Sequence, residues 1–363
     1  MNIAFFQELH FGGARRVVFE YGNIFSRYHN THLYYVDRSK QKDLEKVFKK
    51  NSFYFLPFKR YKGGDFLLRL YKDFIEPVKL YFLHKKIARE IDKHDYDFVF
   101  VHPSQFTHAP FILRFLKTPT VYFCHEPLRI VHDPLLSKTN FAGLKDLYEK
   151  LARFLKRNID SSNIKKASIV LANSNFTKKN IKKAYGVSSK TCYLGVNPKI
   201  FHPMDVEEAY DLIFVGEDVW MEGYDTLLKI QKKFLKRLKI RIVKSKNGRY
   251  ITDIDLALEY NRSKILVVLG RSDPFSMIPW EGMACGIPVI VVKEGGPIEA
   301  VKNGKTGYLI ERDIGKLKKK IDLLLKNPVI REKIGENGRK DVITNWTWEE
   351  SYKRVMRIAE ENL

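Results

Sequence analysis

The chain of 363 residues is long for a single hydrophobic core and suits two domains. Its content of 44% hydrophobic and 13% aromatic residues argues against global disorder, and no apolar run approaches the roughly 18 residues that cross a bilayer. The formal net charge of +23 implies attraction to a polyanion, which could be an anionic membrane surface, a phosphorylated substrate or nucleic acid.

The amino terminus and the cysteines indicate a cytoplasmic protein. Residues 1–13 lack a basic leader followed by an apolar run, so we see no secretory signal. Cys124, Cys192 and Cys285 stand singly and form no metal-ligand spacing. Their odd number fits a reducing compartment, and we therefore expect a cytoplasmic location.

Apolar strands alternate with helical segments along the first half of the chain. The strand patterns lie at residues 1–6, 32–36, 97–102, 120–125 and the start of 169–176, where Ser174 is expected to cap a helix. This alternation predicts a parallel sheet, and ligands collect at the carboxyl ends of such strands. His102 and His125 each end a strand, so both are candidates to reach a ligand.

Gly12 and Gly13 follow the first strand and open a helix. Because they lack a Cβ, they would let a ligand approach the backbone, and they also fit an ordinary tight turn. Arg15 and Arg16 fall in the first turn of that helix, where they would face either an acidic group of a ligand or solvent.

The stretch 53–90 interleaves aromatic residues with basic ones, among them Lys59, Arg60 and Lys62. Such a mixture suits a membrane interface, with rings at the acyl boundary and cations at lipid phosphates. Alternatively, the aromatic residues are core and the cations cover a helix face. The same mixture could stack on nucleic acid, but no nucleic-acid module appears, so we do not expect that partner.

Residues 140–160 have the pattern of a basic amphipathic helix. Its apolar positions at helical spacing are Leu144, Leu147, Tyr148, Leu151 and Leu155. The simplest interpretation is that this face packs into the core.

The second half opens with a strand at 211–216 that ends in Gly216, followed by a strand at 240–243. Lys244, Lys246 and Arg249 come directly after the second strand. A further strand at 265–269 leads to Arg271 and Asp273. Asp253 and Asp255 form a formal Asp-x-Asp, but they open a helical segment and are discounted as a metal site.

The stretch Asp273–Ile290, DPFSMIPWEGMACGIPVI, predicts a loop, a short helix and a buried strand. Ser276 is expected to cap the helix, Gly286 to supply its left-handed last residue, and Pro288 to prevent continuation. Free amides and the helix dipole favour an anion at such an N-terminus, and carboxylates beside it suit sugar hydroxyls. An ordinary loop-helix-strand connection with two solvated acids fits the same pattern.

These residues resemble the signature of retaining GT-B glycosyltransferases of the glycosyltransferase 4 group. That signature is an acid, Pro-Phe-Gly, then Glu-Ala-Met-Ala-x-Gly-x-Pro-Val. Here the acid is Asp273 where Glu is usual, Ser276 replaces the glycine, and Glu281 opens the second part. The segments KEGGPIEAV at 293–301 and NGKTGY at 303–308 also follow the family in order and spacing.

The resemblance implies an α/β protein of the GT-B class, in which two Rossmann-like β/α/β domains face each other across a central cleft. We expect an acceptor-side domain at 1–203 and a nucleotide-sugar-binding domain at 204–347. The C-terminal helix, about 348–363, is expected to pack back on the first domain.

The resemblance further implies a metal-independent glycosyltransferase of the hexosyltransferase type that needs no cofactor and uses a nucleotide-diphosphate sugar donor. Glu281 would bind the ribose and Asp273 the donor sugar. His125 begins a His-Glu-Pro element similar to the family's and would contact the sugar or its phosphate. The remaining expected donor-site residues are Phe275, Ser276, Met277, Gly12, Gly13, Gly216, Lys244 and Arg271.

Glu217 and Glu222 stand where the family has the Arg and Lys that grip the donor diphosphate. At an effective dielectric constant of ~20, each close pair of like charges costs on the order of several kcal/mol. Other cations would then supply the charge, the donor would differ, or the chain would be a non-catalytic binding protein. The candidate cations are Lys244, Lys246, Arg249 and Arg271. If it is an enzyme, we expect a glycan or lipid-linked acceptor, a role in cell-surface glycan or glycolipid synthesis, and association with the inner face of the cell membrane.

Overall fold

The computed structural model describes residues 1–9, 12–58, 66–133, 143–234, 238–244 and 251–363. They form two compact units, Met1–Cys192 with Tyr352–Leu363, and Tyr193–Ser351. Each unit is built around one sheet whose paired strands run parallel. The prediction of two parallel-sheet α/β domains is therefore confirmed.

The sheet of the first unit contains every strand expected from the sequence of this half, together with two that were not expected. Its strands are β1 (Asn2–Gln7), β2 (Asn30–Asp37), β3 (Lys50–Phe55), β4 (Phe98–Val101), β5 (Thr120–Cys124), β6 (Ile169–Ala172) and β7 (Lys190–Thr191). They are arranged in the order β3-β2-β1-β4-β5-β6-β7. The two edge strands, β3 and β7, were not predicted, because neither carries the buried apolar run of a central strand.

Helices connect these strands. They are α1 (Gly13–Tyr28), α2 (Lys42–Glu45), α3 (Phe66–Leu70), α4 (Glu76–Ile91), α5 (Arg129–His132), α6 (Gly143–Ile164) and α7 (Asn175–Tyr185). A π-helical turn at Tyr71–Ile75 joins α3 to α4, and a 3-10 turn covers Phe111–Arg114. The Ser174 cap is confirmed, because Ser174 Oγ accepts a hydrogen bond of 2.9 Å from the Thr177 amide.

The expectation that α6 packs its apolar face into the core is wrong. Leu144, Leu147 and Leu151 are 86%, 64% and 50% exposed, whereas Glu149 and Asp160 on the opposite face are buried. The helical period predicted a helix correctly, but it does not say which face is turned inward. Ion pairs and hydrogen bonds of the charged face hold α6 to its neighbours.

The second unit has five strands: β8 (Tyr210–Val215), β9 (Ile240–Val243), β10 (Ser263–Val268), β11 (Val289–Val292) and β12 (Tyr308–Ile310). Their order in the sheet is β12-β11-β10-β8-β9. The helices are α8 (Tyr224–Lys233), α9 (Asp253–Asn261), α10 (Ile278–Ala284), α11 (Ile314–Lys326), α12 (Pro328–Asn345) and α13 (Trp348–Asn362), with 3-10 turns at Trp220–Glu222 and Pro297–Ala300. The predicted strands and helices of this half are all present.

Helix α10 lies in the core of the second unit and ends as the sequence predicts. Gly286 is left-handed, with φ of 80°. Its amide donates to the Met283 carbonyl, and the next amide, of Ile287, donates to the Gly282 carbonyl, which is the Schellman arrangement. Helix α12 crosses closely here, since a Cβ on Gly335 would lie 1.9 Å from the Gly286 carbonyl oxygen.

The chain passes from the first unit to the second at Cys192–Tyr193, before the linker predicted near residue 203. The physical reason is that the Val196 amide donates to the Trp346 carbonyl at 2.9 Å and Phe201 belongs to the second unit's core. Helix α13 rejoins the first unit at Tyr352, whose hydroxyl lies 2.8 Å from His29 Nε2. The limits of the functional domains stay a prediction.

No helix among the described residues is both long enough and apolar enough to cross a membrane.

Replacement of Gly335 by Ala tests the contact between α10 and α12. The added methyl would overlap the Gly286 backbone, so we expect a loss of about 1–3 kcal/mol in the free energy of unfolding, measured by denaturant titration. Gly315→Ala in α11 is the control, because its nearest neighbour is the Asp313 side chain at 3.2 Å, and it should change stability by less than about 1 kcal/mol. Equal stability of the two variants would contradict the close crossing.

Candidate functional site

The strand order of the second unit defines one crevice at the carboxyl edge of its sheet. The order reverses between β8 and β10, and ligands of open α/β sheets bind where this reversal occurs. Gly216 follows β8, and residues 269–277 follow β10. The structure therefore brings Gly216, Arg271 and Asp273 to the same edge, with Lys244 after the neighbouring β9.

The turn Trp220–Glu222 joins these two strand ends. The Arg271 amide donates to the Met221 carbonyl at 2.7 Å. Gly223 is left-handed with φ of 81°, and a Cβ there would lie 2.1 Å from the Leu269 carbonyl oxygen. Only glycine fits this position, because both the conformation and the lack of space exclude a side chain.

Arg312 holds the same loop from the other side. Its guanidinium donates to the carbonyls of Leu269 and Gly270 at 2.8 and 3.0 Å, and it pairs with both carboxylate oxygens of Glu294 at 2.8 Å. Arg312 could not be singled out from the sequence, because it precedes a helix without any recognised spacing. Its role becomes visible only when β10 and β12 lie in one sheet.

Arg271, expected to meet the donor, is engaged within the protein. Its guanidinium makes a two-point contact with Asp225 at 2.8 and 3.0 Å, donates to the Trp220 carbonyl and lies 4.2 Å over the Trp220 ring. The hydrogen bond from Arg271 is the main reason that the pKa of Asp225 is lowered. In this conformation Arg271 therefore supports the crevice instead of presenting a free positive charge.

Asp273 is fixed by two neighbouring segments. Its Oδ1 accepts from the Phe275 amide at 3.0 Å, and its carbonyl accepts from the Gly296 amide at 2.8 Å. A Cβ on the left-handed Gly295 would lie 2.3 Å from that carbonyl oxygen. The glycine pair of the segment 293–301 is thus what allows the backbone of Asp273 to be held so closely.

The expected Ser276 cap is wrong by one position. Helix α10 begins at Ile278, and Met277 occupies the cap position with helical φ and ψ of −76° and −19° and no side-chain hydrogen bond. The Met277 carbonyl accepts from the Glu281 amide at 3.0 Å, so the first turn closes after Ser276. The ring of Phe275 stacks on Trp280 at 4.4 Å and anchors this loop to the core.

Glu281 lies on the inner side of α10, with 2% of the residue exposed. The hydroxyl of Tyr260, at the end of α9, donates to Glu281 Oε2 at 3.0 Å. Burial, and then the negative charge of Glu281, raise the pKa of the Cys285 thiol. Tyr260 was missed in the sequence because its helical spacing indicates only a core position.

The charged residues nearest Gly216 are acidic as well as basic. Glu222 Oε2 would lie 3.2 Å from a Cβ on Gly216, which places this carboxylate beside the end of β8. Lys244 donates to Asp218 at 2.8 Å, and both side chains are about half exposed. Their contact raises the pKa of Lys244 and lowers that of Asp218. Lys246 and Arg249 lie outside the described residues.

The remaining candidates belong to the first unit. Gly12 is left-handed with φ of 86° and directly precedes α1, which begins at Gly13. His125 follows β5, and its ring stacks on Phe123 at 4.8 Å. Burial, together with the charge of His108, lowers the pKa of His125 to about 3. Its Nε2 is buried and has no hydrogen-bond partner among the described residues.

His102 is enclosed by the first unit, with 0% exposed. Burial lowers its pKa well below the ordinary value. The described part of the chain contains no group of three or more His, Cys, Asp or Glu side chains placed to hold a metal ion.

Two family models match the sequence. Residues 11–199 match the model described as Glycosyltransferase Family 4, and residues 246–341 match Glycosyl transferases group 1. An uncharacterized glycosyltransferase of Methanocaldococcus jannaschii is 33% identical over 189 residues, which cover 47% of this chain and 52% of that protein. The chain spans about half the length of the named relatives that it matches first.

Solved structures match over almost the whole chain. The sucrose-phosphate synthase from Thermosynechococcus elongatus has a TM-score of 0.71 at 15% identity and covers 99% of this chain and 98% of that chain. The Anabaena protein HepE, solved in complex with UDP and glucose, has a TM-score of 0.68 at 13% identity and covers 99% of both chains. These similarities concern the fold.

The desolvated imidazole of His125 gives a pH-dependent stability. The unfolded chain takes up a proton near the ordinary pKa of 6.5, whereas the folded chain does so only near 3, so the free energy of unfolding should fall as the pH drops from 6.5 toward 3. In His125→Asn this fall should be shallower, measured by denaturant titration at several pH values. Exposed His94→Asn is the matched control, and an unchanged slope in His125→Asn would contradict the burial of this imidazole.

Proposed function

Since this chain belongs to the GT-B glycosyltransferases of family 4, we propose that it transfers a sugar from a nucleotide-diphosphate donor to a hydroxyl acceptor with retention of the anomeric configuration. One observation links the proposal to particular residues of this chain. The ordered motif that begins at Asp273 follows β10, at the crevice where ligands of such sheets bind.

The second unit would bind the donor. UDP and glucose occupy the related Anabaena structure, so UDP-glucose is the first donor to test. In this proposal Glu281 binds the ribose and Asp273 orients the sugar. The nucleotide is also contacted by backbone groups of Gly216, Phe275, Ser276 and Met277. Tyr260 acts as a positioning residue through its hydrogen bond to Glu281 Oε2.

Sugar transfer develops oxocarbenium character while a diphosphate departs, so the site must stabilise developing charge. We assign His125 a contact with the sugar or its phosphate. Because its pKa is lowered to about 3, it would act as a neutral hydrogen-bonding group at neutral pH and would add no positive charge. Gly12 and Gly13 would allow a ligand close to the backbone at the start of α1.

The diphosphate needs a cation, and Lys244 is the better of the two sequence candidates that lie among the described residues, Lys244 and Arg271. Its partner Asp218 is about half exposed, and an exposed ion pair of this kind exchanges partners easily because water screens it. Arg271 would first have to leave a two-point contact with Asp225. Glu222 would oppose the anion from the end of β8.

Family membership does not favour the alternative of a non-catalytic binding protein. Calorimetry with UDP, GDP and their sugar conjugates separates the two, because a protein that binds none of them cannot use them as donors. The proposal also includes the type of enzyme, a hexosyltransferase that needs no metal. Its acceptor would be a glycan or a lipid-linked molecule in cell-surface synthesis. The protein would be cytoplasmic and would contact an anionic membrane.

Removing the charge of Glu281 should weaken donor binding. In Glu281→Gln the KM for the active donor should rise by about 10-fold or more, since a hydrogen bond to a charged group is worth about 1.5–3 kcal/mol. Tyr260→Phe should raise the same KM by about 3- to 10-fold, because one oxygen of Glu281 would lose its partner. Nucleoside-diphosphate release across a panel of donors is the measurement.

Exposed Glu336→Gln is the matched control for this experiment. An unchanged KM in Glu281→Gln, with normal folding, would remove this residue from the donor site. Proton NMR of the product from an α-linked donor tests retention separately, and a β-linked product would refute it.

The carboxylate of Glu222 should specifically weaken the binding of phosphate. Glu222→Gln removes a negative charge beside Gly216, so its dissociation constant for UDP should fall by about 3- to 10-fold at low salt. Uridine, which has no phosphate, should bind both proteins equally in the same calorimetric series. A parallel change for uridine and UDP would show that Glu222 does not face the diphosphate.

A further inference from the structure

Between residues 144 and 157, helix α6 exposes only apolar and basic side chains. Between 144 and 157 the exposed side chains are Leu144, Lys145, Leu147, Lys150, Leu151, Phe154 and Arg157. Four of them are large and apolar, with exposed fractions from 50% to 86%. They recur at three- and four-residue spacing, so they form one continuous row along the outside of the helix.

The acidic residues of the same helix are withdrawn from this surface. Glu149 is buried and pairs with Arg69 and, at 3.7 Å, with Arg153. Asp160 is buried and accepts from the Tyr185 hydroxyl and the Ala109 amide. Asp146 is half-buried and paired with Lys150 at 2.7 Å. The helix thus turns its acids inward and its apolar row outward, the reverse of a helix that covers a core.

In the neighbouring helical segment the exposed residues are again apolar or basic, although the carboxylate of Glu90 is 42% exposed and pairs with Lys93 at 2.8 Å. From 66 to 91 the exposed residues are Phe66, Leu67, Ile75, Val78, Lys79, Phe82, Lys86 and Arg89. The ring of Phe66 lies 5.5 Å from that of Tyr148, so the apolar surface of α3 continues onto α6. Asp73 is almost buried, with its oxygens bonded by Lys156 at 2.6 Å and by Tyr148 at 2.7 Å.

A basic cavity of about 460 Å³ lies between these helices. Four cationic side chains line it, and two carboxylates offset half of their charge: Arg69, Lys72, Arg153 and Lys156 against Asp73 and Glu149. A cavity with excess positive charge beside an exposed apolar row fits a molecule that is anionic at one end and apolar at the other.

We propose that this face of the first unit, formed by α3, α4 and α6, docks on an anionic phospholipid surface. The row Leu144, Leu147, Leu151 and Phe154 enters the acyl boundary, and Lys145, Lys150 and Arg157 remain at the level of the lipid phosphates. The cavity receives a phosphate head group. The positive charge of this face favours a phospholipid surface over a second copy of the chain, because two identical basic faces would repel each other. This docking surface specifies the membrane partner of the proposed function and rests on that part of it.

Vesicle sedimentation of the full chain tests the proposal. The wild type should bind vesicles of phosphatidylglycerol and phosphatidylcholine at least about 10-fold more tightly than vesicles of phosphatidylcholine alone, and salt should weaken the binding. The variant L147E/L151E/F154E should lose at least about 10-fold in affinity for the anionic vesicles. K145Q/R157Q should lose about 10-fold as well, because each cation near an anionic surface contributes.

The matched control is I254E/V329E/I343E, which replaces three exposed apolar residues of the second unit and should bind like the wild type. L147A/L151A/F154A adds no charge and should also lose affinity, provided that its thermal unfolding matches that of the wild type. Equal binding of L147E/L151E/F154E and the wild type overturns the proposal. The proposal is also overturned if light scattering shows a wild-type dimer that L147E/L151E/F154E abolishes, because a second copy of the chain would then cover the face.

Nucleoside-diphosphate release without vesicles separates this inference from the proposed sugar transfer. L147E/L151E/F154E should release the nucleotide from the active donor at the wild-type rate, because none of its substitutions lies in the donor crevice. A failure of vesicle binding with intact release overturns only the docking face. Intact vesicle binding without release from any donor counts only against sugar transfer.

Discussion

The guanidinium of Arg312 is the contact on which the candidate donor crevice depends. It binds the carbonyls of Leu269 and Gly270 and both oxygens of Glu294, and so ties the end of β10 to the segment after β11. Leu269 and Gly270 follow β10, where the strand order reverses, so without Arg312 their carbonyls would need other hydrogen-bond partners. Removing one member of such a charged network is costly because the remaining charge loses its compensation. The crevice is therefore held in place before any ligand arrives.

The same network limits the electrostatics of the crevice. Arg271 and Arg312 are balanced by Asp225 and Glu294, so neither adds net charge at the end of β10. Glu222 adds a carboxylate beside the end of β8. A diphosphate bound in this crevice would depend on backbone amides and on a mobile exposed cation such as Lys244 more than on a fixed pair of buried cations.

The sequence predicted those features that are determined by neighbouring residues. The strand β8, the cap at Ser174 and the left-handed Gly286 all follow from local backbone and side-chain chemistry. Features set by distant segments were missed or misassigned. Tyr260 meets Glu281 only because α9 and α10 pack together, and Arg271 meets Asp225 only through the turn at 220–222. Ser276 failed as a cap because the first turn of α10 closes on Met277.

Helix α6 shows why hydrophobic periodicity alone does not determine burial. A periodic apolar row indicates that one face of the helix avoids water. That face can be covered by the protein's own core or by another molecule. The charges on the opposite face distinguish the two. Glu149 and Asp160 are buried with partners, so the polar face already has its inner contacts, and the exposed residues between 144 and 157 of the described helix are the apolar row and basic side chains. A surface that excludes acids in this way is complementary to an anionic, apolar-backed layer, and it accounts for part of the chain's positive charge.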